Sequence, residues 1–237
     1  MKSALQILLV LLPQSLKRLV AHRLLGWEIH PTAHLGRSLI RVGRLTMGPS
    51  ASIGPWNVIK DLDEVHLAEG AAIATRNSIT GIAGTSGIFT HSPNRRPALV
   101  MGRFSMITNA HDIDCSDLVE FADYAVLAGF RSQILTHSLN LVQDRFVTGP
   151  VRLGEHCAVM SGCTILSGMQ VPDRSIISAG SVITTKLTAE HTFYRGNPAE
   201  AVRDLPPTLK YFHREGLQHQ VAAEIESWRA AQSQRTG

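Results

Sequence analysis

Apolar side chains recur at every sixth position along the second half of the chain. The series consists of Leu153, Val159, Ile165, Val171, Ile177 and Ile183. Small and polar residues fill the places between them, as in L-G-E-H-C-A, V-M-S-G-C-T and I-L-S-G-M-Q. A helix repeats every 3.6 residues and a strand every two, so neither period explains this spacing. The repeat predicts short strands joined by tight corners, each with one side chain pointing inward.

A second mark sets the length of one turn: an apolar residue, any residue, an apolar residue, then Gly or Ala. It occurs as Leu45-Thr46-Met47-Gly48, Val65-His66-Leu67-Ala68, Leu99-Val100-Met101-Gly102, Val119-Glu120-Phe121-Ala122 and Val151-Arg152-Leu153-Gly154. Counted from its third residue, turns start at 29, 47, 67, 101, 121, 153 and 171. We predict an all-β fold, a parallel β-helix of about seven coils with three strands each. Arg41 and Gln133 fall on inward positions by strict counting, so the register there is open.

The chain divides into three parts on this pattern. We expect an N-terminal amphipathic helix in residues 1–28, the β-helix in residues 29–203 and a helical tail in residues 204–237. The two longest intervals between coil starts predict loop insertions at about 80–98 and 138–150. Both insertions follow the third strand of their coils, so they should leave from one edge of the prism, two coils apart. Function usually resides in such loops.

The N-terminal segment contains apolar residues opposite basic ones. Leu16, Leu19, Val20 and Leu24 recur at helical spacing, opposite Lys17, Arg18 and Arg23. The apolar run at 4–12 is far shorter than the roughly 20 residues that span a bilayer. Residues 1–25 could therefore contact an anionic membrane surface peripherally, or cap the end of the core. In the tail, an apolar series predicts the helix: Leu209, Phe212, Leu217, Val221, Ile225 and Trp228.

Charge and cysteine content limit the partners and the cellular location that the sequence predicts. The net charge is +4 and the isoelectric point about 9.2, an excess too small to imply nucleic-acid binding. The three cysteines, Cys115, Cys157 and Cys163, form neither a disulfide framework nor a zinc-binding pattern. We expect a cytoplasmic protein, with the inner face of the cell membrane as the alternative location.

The stretch from Leu153 to Thr184, with the ending R-G-N-P-A-E-A-V-R, resembles the C-terminal half of hexapeptide-repeat acyltransferases. The nearest relatives by this motif are colanic-acid and exopolysaccharide acetyltransferases, beside galactoside and maltose acetyltransferases. The resemblance covers Ile29 to Arg203. It implies a left-handed β-helix, a homotrimer with active sites between subunits, and acyl-CoA as donor. The implied reaction is O-acetylation of a sugar hydroxyl in exopolysaccharide or glycolipid biosynthesis, on an acceptor that could be lipid-linked.

The resemblance also implies site residues. His137, in T-H-S at the second insertion, matches the catalytic histidine, and a neutral imidazole is a suitable base for an attacking hydroxyl. His111, Asp112 and Asp114 in H-D-I-D are candidates for acceptor binding or for orienting the site, as is His91 in the first insertion. A structural role remains the alternative for each of these residues.

For the donor, the motif match points to Ser161, Ala179 and Thr184, with Lys186 and Arg203 near the CoA phosphates. Small residues at tight corners and solvated charges are the structural alternatives. Acetyl-CoA is expected as co-substrate without a tightly bound cofactor, because a thioester is already activated. Gly196-Asn197-Pro198 is expected to turn the chain out of the β-helix.

Three other functions remain open. An N-acyltransferase acting on an amino sugar would have the same sequence pattern. A zinc carbonic anhydrase-like enzyme would use His91, His111 and His137 as ligands. However, the closely spaced ligand histidines of that family are absent, and the G-N-P-A ending favours acyl transfer. A non-catalytic assembly module is the third possibility.

Overall fold

The computed structural model describes Gln6 and residues 9–216, apart from the side chains of residues 14 and 15. Three parallel sheets form the sides of a prism. The first sheet contains, in spatial order, β1 (Glu28–Ile29), β4 (Arg44–Met47), β7 (Glu64–Leu67), β10 (Ala98–Met101), β13 (Val119–Phe121), β18 (Val151–Leu153) and β21 (Gln170–Val171). The third sheet contains β3 (Leu39–Arg41), β6 (Val58–Lys60), β9 (Ser78–Thr80), β12 (Asp112–Asp114), β15 (Gln133–Ile134), β20 (Thr164–Ile165) and β23 (Val182–Ile183).

The second sheet is the longest and carries the C-terminal hairpin. Its strands are β2 (His34–Leu35), β5 (Ser52–Ile53), β8 (Ala72–Ile73), β11 (Met106–Asn109), β14 (Val126–Phe130), β19 (Ala158–Val159), β22 (Ile176–Ile177), β24 (Thr192–Arg195) and β25 (Glu200–Asp204). The last two strands are antiparallel, and the predicted Gly196-Asn197-Pro198 turn lies between them. A separate antiparallel pair, β16 (His137–Asn140) and β17 (Arg145–Thr148), projects from the prism.

The observed register follows the six-residue repeat. All seven residues that mark the predicted coil starts are paired with one another in the first sheet: Ile29, Met47, Leu67, Met101, Phe121, Leu153 and Val171. Each coil cannot bury its inward side chains alone, and stacking makes one continuous apolar column. The prediction of a mainly β chain with parallel sheets is confirmed. Left-handedness stays a prediction.

At two places the inward-facing residue is not the one predicted by counting every sixth position. Ile40 and Ile134 point into the column, 3% and 0% exposed, in place of Arg41 and Gln133. The corner before Ile40 is one residue shorter than the repeat and the corner before Ile134 one residue longer. Because consecutive side chains of a strand alternate between its faces, Arg41 and Gln133 lie on the outer surface instead.

The N-terminal segment covers the open end of the first coil. A short 3₁₀ helix (Leu9–Leu11) precedes α1 (Gln14–Val20) and a π-helical turn (Ala21–Leu25). The buried ammonium of Lys17 donates hydrogen bonds to two carbonyls of the first coil, those of Leu35 (3.2 Å) and Gly36 (2.9 Å). Burial first, and the charge of Arg37 second, lower the pKa of Lys17. The segment therefore caps the core, as one of the two sequence-based alternatives predicted.

The C-terminal tail is described only in part. A 3₁₀ turn (Lys210–His213) packs Phe212 against the ring of His191, and residues 217–237, where most of the predicted tail helix falls, lie outside the described residues. Among the described residues, no helix is long and apolar enough to cross a membrane.

Candidate active site

Two insertions leave the prism at the corner between the third and first sheets. The first follows β9 and the second follows β15, which lies two strands further along the third sheet. The two insertions contact each other: the backbone N–H of Thr148 donates to the hydroxyl of Ser92 (3.2 Å). This arrangement brings both loops beside the adjacent ends of β12 and β15.

A histidine and a carboxylate meet at this point. Nδ1 of His137 lies 2.7 Å from Oδ2 of Asp114, and the His137 side chain is 37% exposed. The pairing of β12 with β15 sets the contact, because it places Asp114 beside the residues that lead into β16. Of the predicted site residues, these two are the ones that the fold brings into direct contact.

Asp114 is held as an ionised acceptor. Its Oδ2 also accepts hydrogen bonds from the backbone N–H (2.8 Å) and hydroxyl (2.7 Å) of Thr136. Its Oδ1 accepts two from Ser116, one from the hydroxyl (2.6 Å) and one from the backbone (3.1 Å). Burial by itself would raise the pKa of Asp114, but the hydrogen bonds from Ser116, Thr136 and His137 outweigh it and the pKa is lowered.

A carboxylate that only accepts fixes the tautomer of the imidazole. With Nδ1–H of His137 donating to Asp114, the second ring nitrogen, Nε2, carries a lone pair. The same carboxylate stabilises the imidazolium that forms when Nε2 takes up a proton. The pair is therefore equipped for general-base chemistry.

The first insertion packs an aromatic ring against His137. Phe89 is 4% exposed, and its ring centroid lies 5.7 Å from that of His137 in an edge contact. Phe146 of the second insertion lies 6.2 Å from Phe89. The guanidinium of Arg95 sits 4.8 Å above the Phe89 ring. It also donates to three carbonyls, those of Ile82, Ala83 and Ser116.

A buried aspartate ties the two insertions to the prism. One oxygen of Asp117 accepts from the backbone N–H groups of Arg96 (3.0 Å) and Leu118 (2.8 Å). The other accepts from the hydroxyl of Thr148 (2.8 Å). Asp117, with Arg95 and Ser92, therefore holds both loops in place around His137.

His111 does not reach this site. It is 1% exposed; its Nδ1 accepts the backbone N–H of Ser132 (3.1 Å) and its Nε2 lies 3.0 Å from the hydroxyl of Thr108. Burial lowers the pKa of His111 to about 4. With both ring nitrogens engaged inside the corner, its side chain is a structural one, so the alternative to acceptor binding is the better account of it.

The remaining acceptor-side candidates are exposed. Asp112 begins β12 and points outward from the third sheet, between Ser78 and Gln133 of the neighbouring strands. His91 lies on the first insertion, two residues after Phe89, and is exposed. Neither residue contacts the Asp114–His137 pair in the hydrogen bonds and ring contacts of the described chain. A role for them in binding an acceptor stays a prediction.

The predicted donor residues lie away from His137 within one chain. Ser161 and Ala179 occupy the corner between the second and third sheets, where the N–H of Gly180 donates to the carbonyl of Ser161 (2.9 Å). His137 lies at the opposite edge of the third sheet. Ser161 also fills the space at Gly129, where an added Cβ would lie 1.8 Å from its hydroxyl oxygen. The small residues here thus meet the structural need of a tight corner.

The other three donor candidates follow the last coils. Thr184 and Lys186 are exposed just beyond β23. Arg203 lies on β25, with its guanidinium 5.3 Å from the ring of Phe193. All three are accessible, and their role toward a CoA phosphate stays a prediction.

The described part of the chain contains no side-chain cluster suited to binding a metal ion. There, no group of three or more His, Cys, Asp or Glu is placed to hold an ion, so the three histidines of the zinc alternative do not converge within one chain.

The sequence-based prediction missed the residues that surround the pair. Thr136 precedes His137 directly, and Ser116 follows Asp114 by two positions, so both were visible once the register was known. Phe89 and Arg95 lie in an insertion with no periodicity, and nothing in the sequence pointed to them.

No protein-family model matches the sequence, and no curated protein matches it either. Solved structures do match the fold. A variant of the N-acyltransferase AntD from Bacillus cereus, solved with a dTDP-amino sugar and coenzyme A, has a TM-score of 0.47 at 14% identity, covering 84% of this chain and 90% of that one. A hexapeptide-repeat acetyltransferase from Vibrio cholerae, solved with acetyl coenzyme A, has a TM-score of 0.47 at 15% identity, covering 86% and 84%.

The polysialic acid O-acetyltransferase OatWY has the higher TM-score of 0.56, at 13% identity over 75% of this chain and 84% of that one. At this level of identity the likeness concerns the fold. The chain is therefore similar in fold to this O-acetyltransferase.

Proposed function

We propose that the protein is an acyl-CoA-dependent O-acetyltransferase that acts on a sugar hydroxyl. The observation that supports this most is the Asp114–His137 pair, whose outer nitrogen is free to accept a proton beside two ordered insertions. The resemblance of the hexapeptide and R-G-N-P-A motifs to acyltransferases supports the donor. The proposed acceptor is an exopolysaccharide or glycolipid precursor at the inner face of the cell membrane.

The proposed chemistry needs one base and no metal. Nε2 of His137 accepts the proton of the acceptor hydroxyl as its oxygen attacks the thioester carbonyl carbon. The tetrahedral intermediate then collapses, the carbon–sulfur bond breaks, and the proton passes from the imidazolium to the leaving thiolate. Asp114 stabilises the imidazolium throughout, and the ester and free CoA thiol are the products.

A homotrimer would complete this site. The predicted donor residues Ser161 and Ala179 lie at the edge of the third sheet opposite to His137, so a cleft containing both edges needs a second chain. The hairpin that begins with His137 also exposes apolar side chains to solvent, among them Leu141 (83%) and Val142 (95%). An exposed apolar patch beside a site is typical of a protein interface.

We expect an acceptor-dependent release of free thiol from acetyl-CoA. A panel of sugars, sugar nucleotides and lipid-linked sugars would be assayed with a thiol reagent, with each acceptor also offered as its amino-sugar analogue. Thiol release with a hydroxyl acceptor, and an ester in the product by mass spectrometry, would support the proposal. An amide product from an amino sugar alone would favour N-acyl transfer, and no release with any acceptor would contradict both.

We expect the double variant Leu141→Asp and Val142→Asp to lose the trimer. These side chains lie at the hairpin tip, away from the core, so the fold of each chain should be retained while the interface gains two charges in an apolar contact. Light scattering would give a trimer mass for the wild type and a smaller mass for the variant. The control is Val202→Asp, which adds a charge at a 48% exposed side chain of β25, away from the two insertions, and it should keep the wild-type mass. A monomeric wild type would contradict the prediction.

A further inference from the structure

We propose that the N-terminal end of the prism is a docking surface for an anionic lipid bilayer. This inference is independent of the catalytic proposal. It concerns the capping segment of residues 9–25 and the first coil, whose surface combines exposed leucines with an excess of positive charge.

The capping segment has two faces with different partners. Its inner face is fixed to the first coil by Lys17, Ala21 and Leu25, which are 3%, 0% and 7% exposed. The outer face carries four leucines with between 46% and 81% of their surface exposed: Leu11, Leu16, Leu19 and Leu24. Capping the core therefore uses only one side of this amphipathic segment, and the alternatives of core cap and membrane contact are compatible.

The outward leucines do not serve the core. Packing of the cap is already achieved by the inner face, while leaving four large apolar side chains in water costs about 25 cal/mol for each Å² of apolar surface exposed. Such a patch on a single chain indicates an interaction surface. An open groove lined by Arg18, Leu19, His22, Arg23, Ile29 and Pro31 continues the patch onto the first sheet.

Charge selects an anionic partner for this surface. Residues 1–60 contain eight Lys and Arg but a single acidic residue, Glu28, a net charge of +7. Three of these cations do not act at the surface alone: Lys17 is buried under the cap, and Arg41 and Lys60 pair with Asp61. The whole chain has +4, so residues 61–237 carry a net charge of −3. Arg23, Arg37 and Arg44 are exposed at or next to the first coil. Leucines inserted among cationic side chains are the pattern by which a helix lies in the interface of an anionic membrane.

Docking in this way would place the N-terminal end of the prism on the membrane, and the prism axis would point away from the bilayer. Asp114 lies on the fourth strand of the third sheet, three strand spacings from β3, which is roughly 15 Å above the first coil. A headgroup that extends from the bilayer along this edge of the prism would approach His137.

The test is flotation of the full-length protein with vesicles of phosphatidylcholine, with and without phosphatidylglycerol. We expect binding to the anionic vesicles that weakens as salt is raised. Arg23→Glu changes the charge by two and should weaken binding about 30-fold, because each basic residue at the surface contributes about fivefold. Leu19→Gln should weaken it about tenfold by removing an inserted apolar side chain.

Two matched controls lie at the far end of the prism. Arg195→Glu makes the same charge change at an exposed arginine of β24, and Val202→Gln replaces a side chain that is 48% exposed, against 53% for Leu19. Circular dichroism would verify that each variant is folded. The proposal would be overturned if the two control variants lost as much vesicle binding as Arg23→Glu and Leu19→Gln do, or if the wild type did not bind anionic vesicles. A change in mass of Leu19→Gln by light scattering would overturn it in favour of contact with a second copy.

Discussion

Replacing His137 with Ala should lower kcat for acetyl transfer by roughly 10²–10⁴-fold, the usual contribution of a general base. The substitution removes the nitrogen that accepts the hydroxyl proton and leaves Asp114 with its hydrogen bonds from Ser116 and Thr136. The KM for acetyl-CoA should change little, because the predicted contacts to the donor are made by residues other than His137, among them Ser161 and Ala179. Steady-state kinetics of thiol release would measure both quantities.

Asp114→Asn tests how the histidine is held. An amide has the shape of the carboxylate but carries no charge, and its NH₂ group must face donors, those of Ser116 on one side or those of Thr136 and His137 on the other. We expect kcat to fall through a disordered or wrongly protonated imidazole. Nitrogen-15 chemical shifts should show Nδ1–H in the wild type and a shifted tautomer equilibrium in the variant.

The control for both variants is His34→Ala. His34 lies on β2 in the first coil, is exposed, and is far from the insertions. It should keep wild-type kcat and KM. Full activity in His137→Ala would contradict the proposed base, and Nε2–H at His137 in the wild type would contradict the role assigned to Asp114.

The strands could be read from the sequence because each places at least one side chain in a narrow column. A strand of two residues buries a single inward side chain, and the longer strands of the first sheet bury a second one two positions earlier, such as Val151 before Leu153. The six-residue step between inward residues is therefore visible directly, as from Leu153 to Val159. Counting every sixth residue gave the wrong inward position where a corner between two strands was longer or shorter than usual. Gly129 and Arg131 adopt positive φ (72° and 59°) in the corner before Ile134, and that extra residue has no signature in the apolar pattern.

Site residues that the repeat positions could be predicted from the sequence, whereas those positioned by loop packing could not. His137 stood out by motif, and its contact with Asp114 follows from pairing of consecutive coils. Phe89 and Arg95 depend on side-chain packing between two irregular loops, which no local pattern encodes. The sequence therefore predicts the proposed base and its partner but not the residues that pack around them.

The sequence left His111 open between acceptor binding and a structural role, and its burial favours the structural role. This histidine belongs to a column of buried polar side chains at one corner, one in each of the first five coils: Ser38, Asn57, Asn77, His111 and Ser132. Oδ1 of Asn57 accepts the backbone N–H of Asn77, and Oδ1 of Asn77 accepts that of His111 (3.0 Å). The spacing of this column follows the coil length, so the signal was present in the sequence beside the apolar one.

This column predicts that His111 makes the fold sensitive to acid. The folded-state pKa of His111 is about 4, against an ordinary value of 6.5. Burial disfavours the charged ring, and a proton on Nδ1 would face the N–H of Ser132, which already donates to that atom. Below pH 6.5 the unfolded chain therefore binds a proton that the folded chain does not. Its contribution to the free energy of unfolding is complete above pH 6.5 and is lost as the pH falls toward 4, by about 3 kcal/mol.

Replacing His111 with Asn should remove most of this pH dependence, because Asn57 and Asn77 show that an amide fits the same position and accepts the next backbone N–H. Urea unfolding at fixed protein concentration, from pH 7.5 to 4.5, would give the slope of the free energy of unfolding against pH for each variant. Some slope should remain, since burial also lowers the pKa of His156. His34→Asn, at an exposed histidine, should keep the wild-type slope. An unchanged slope in His111→Asn would mean that acid sensitivity arises outside the polar column.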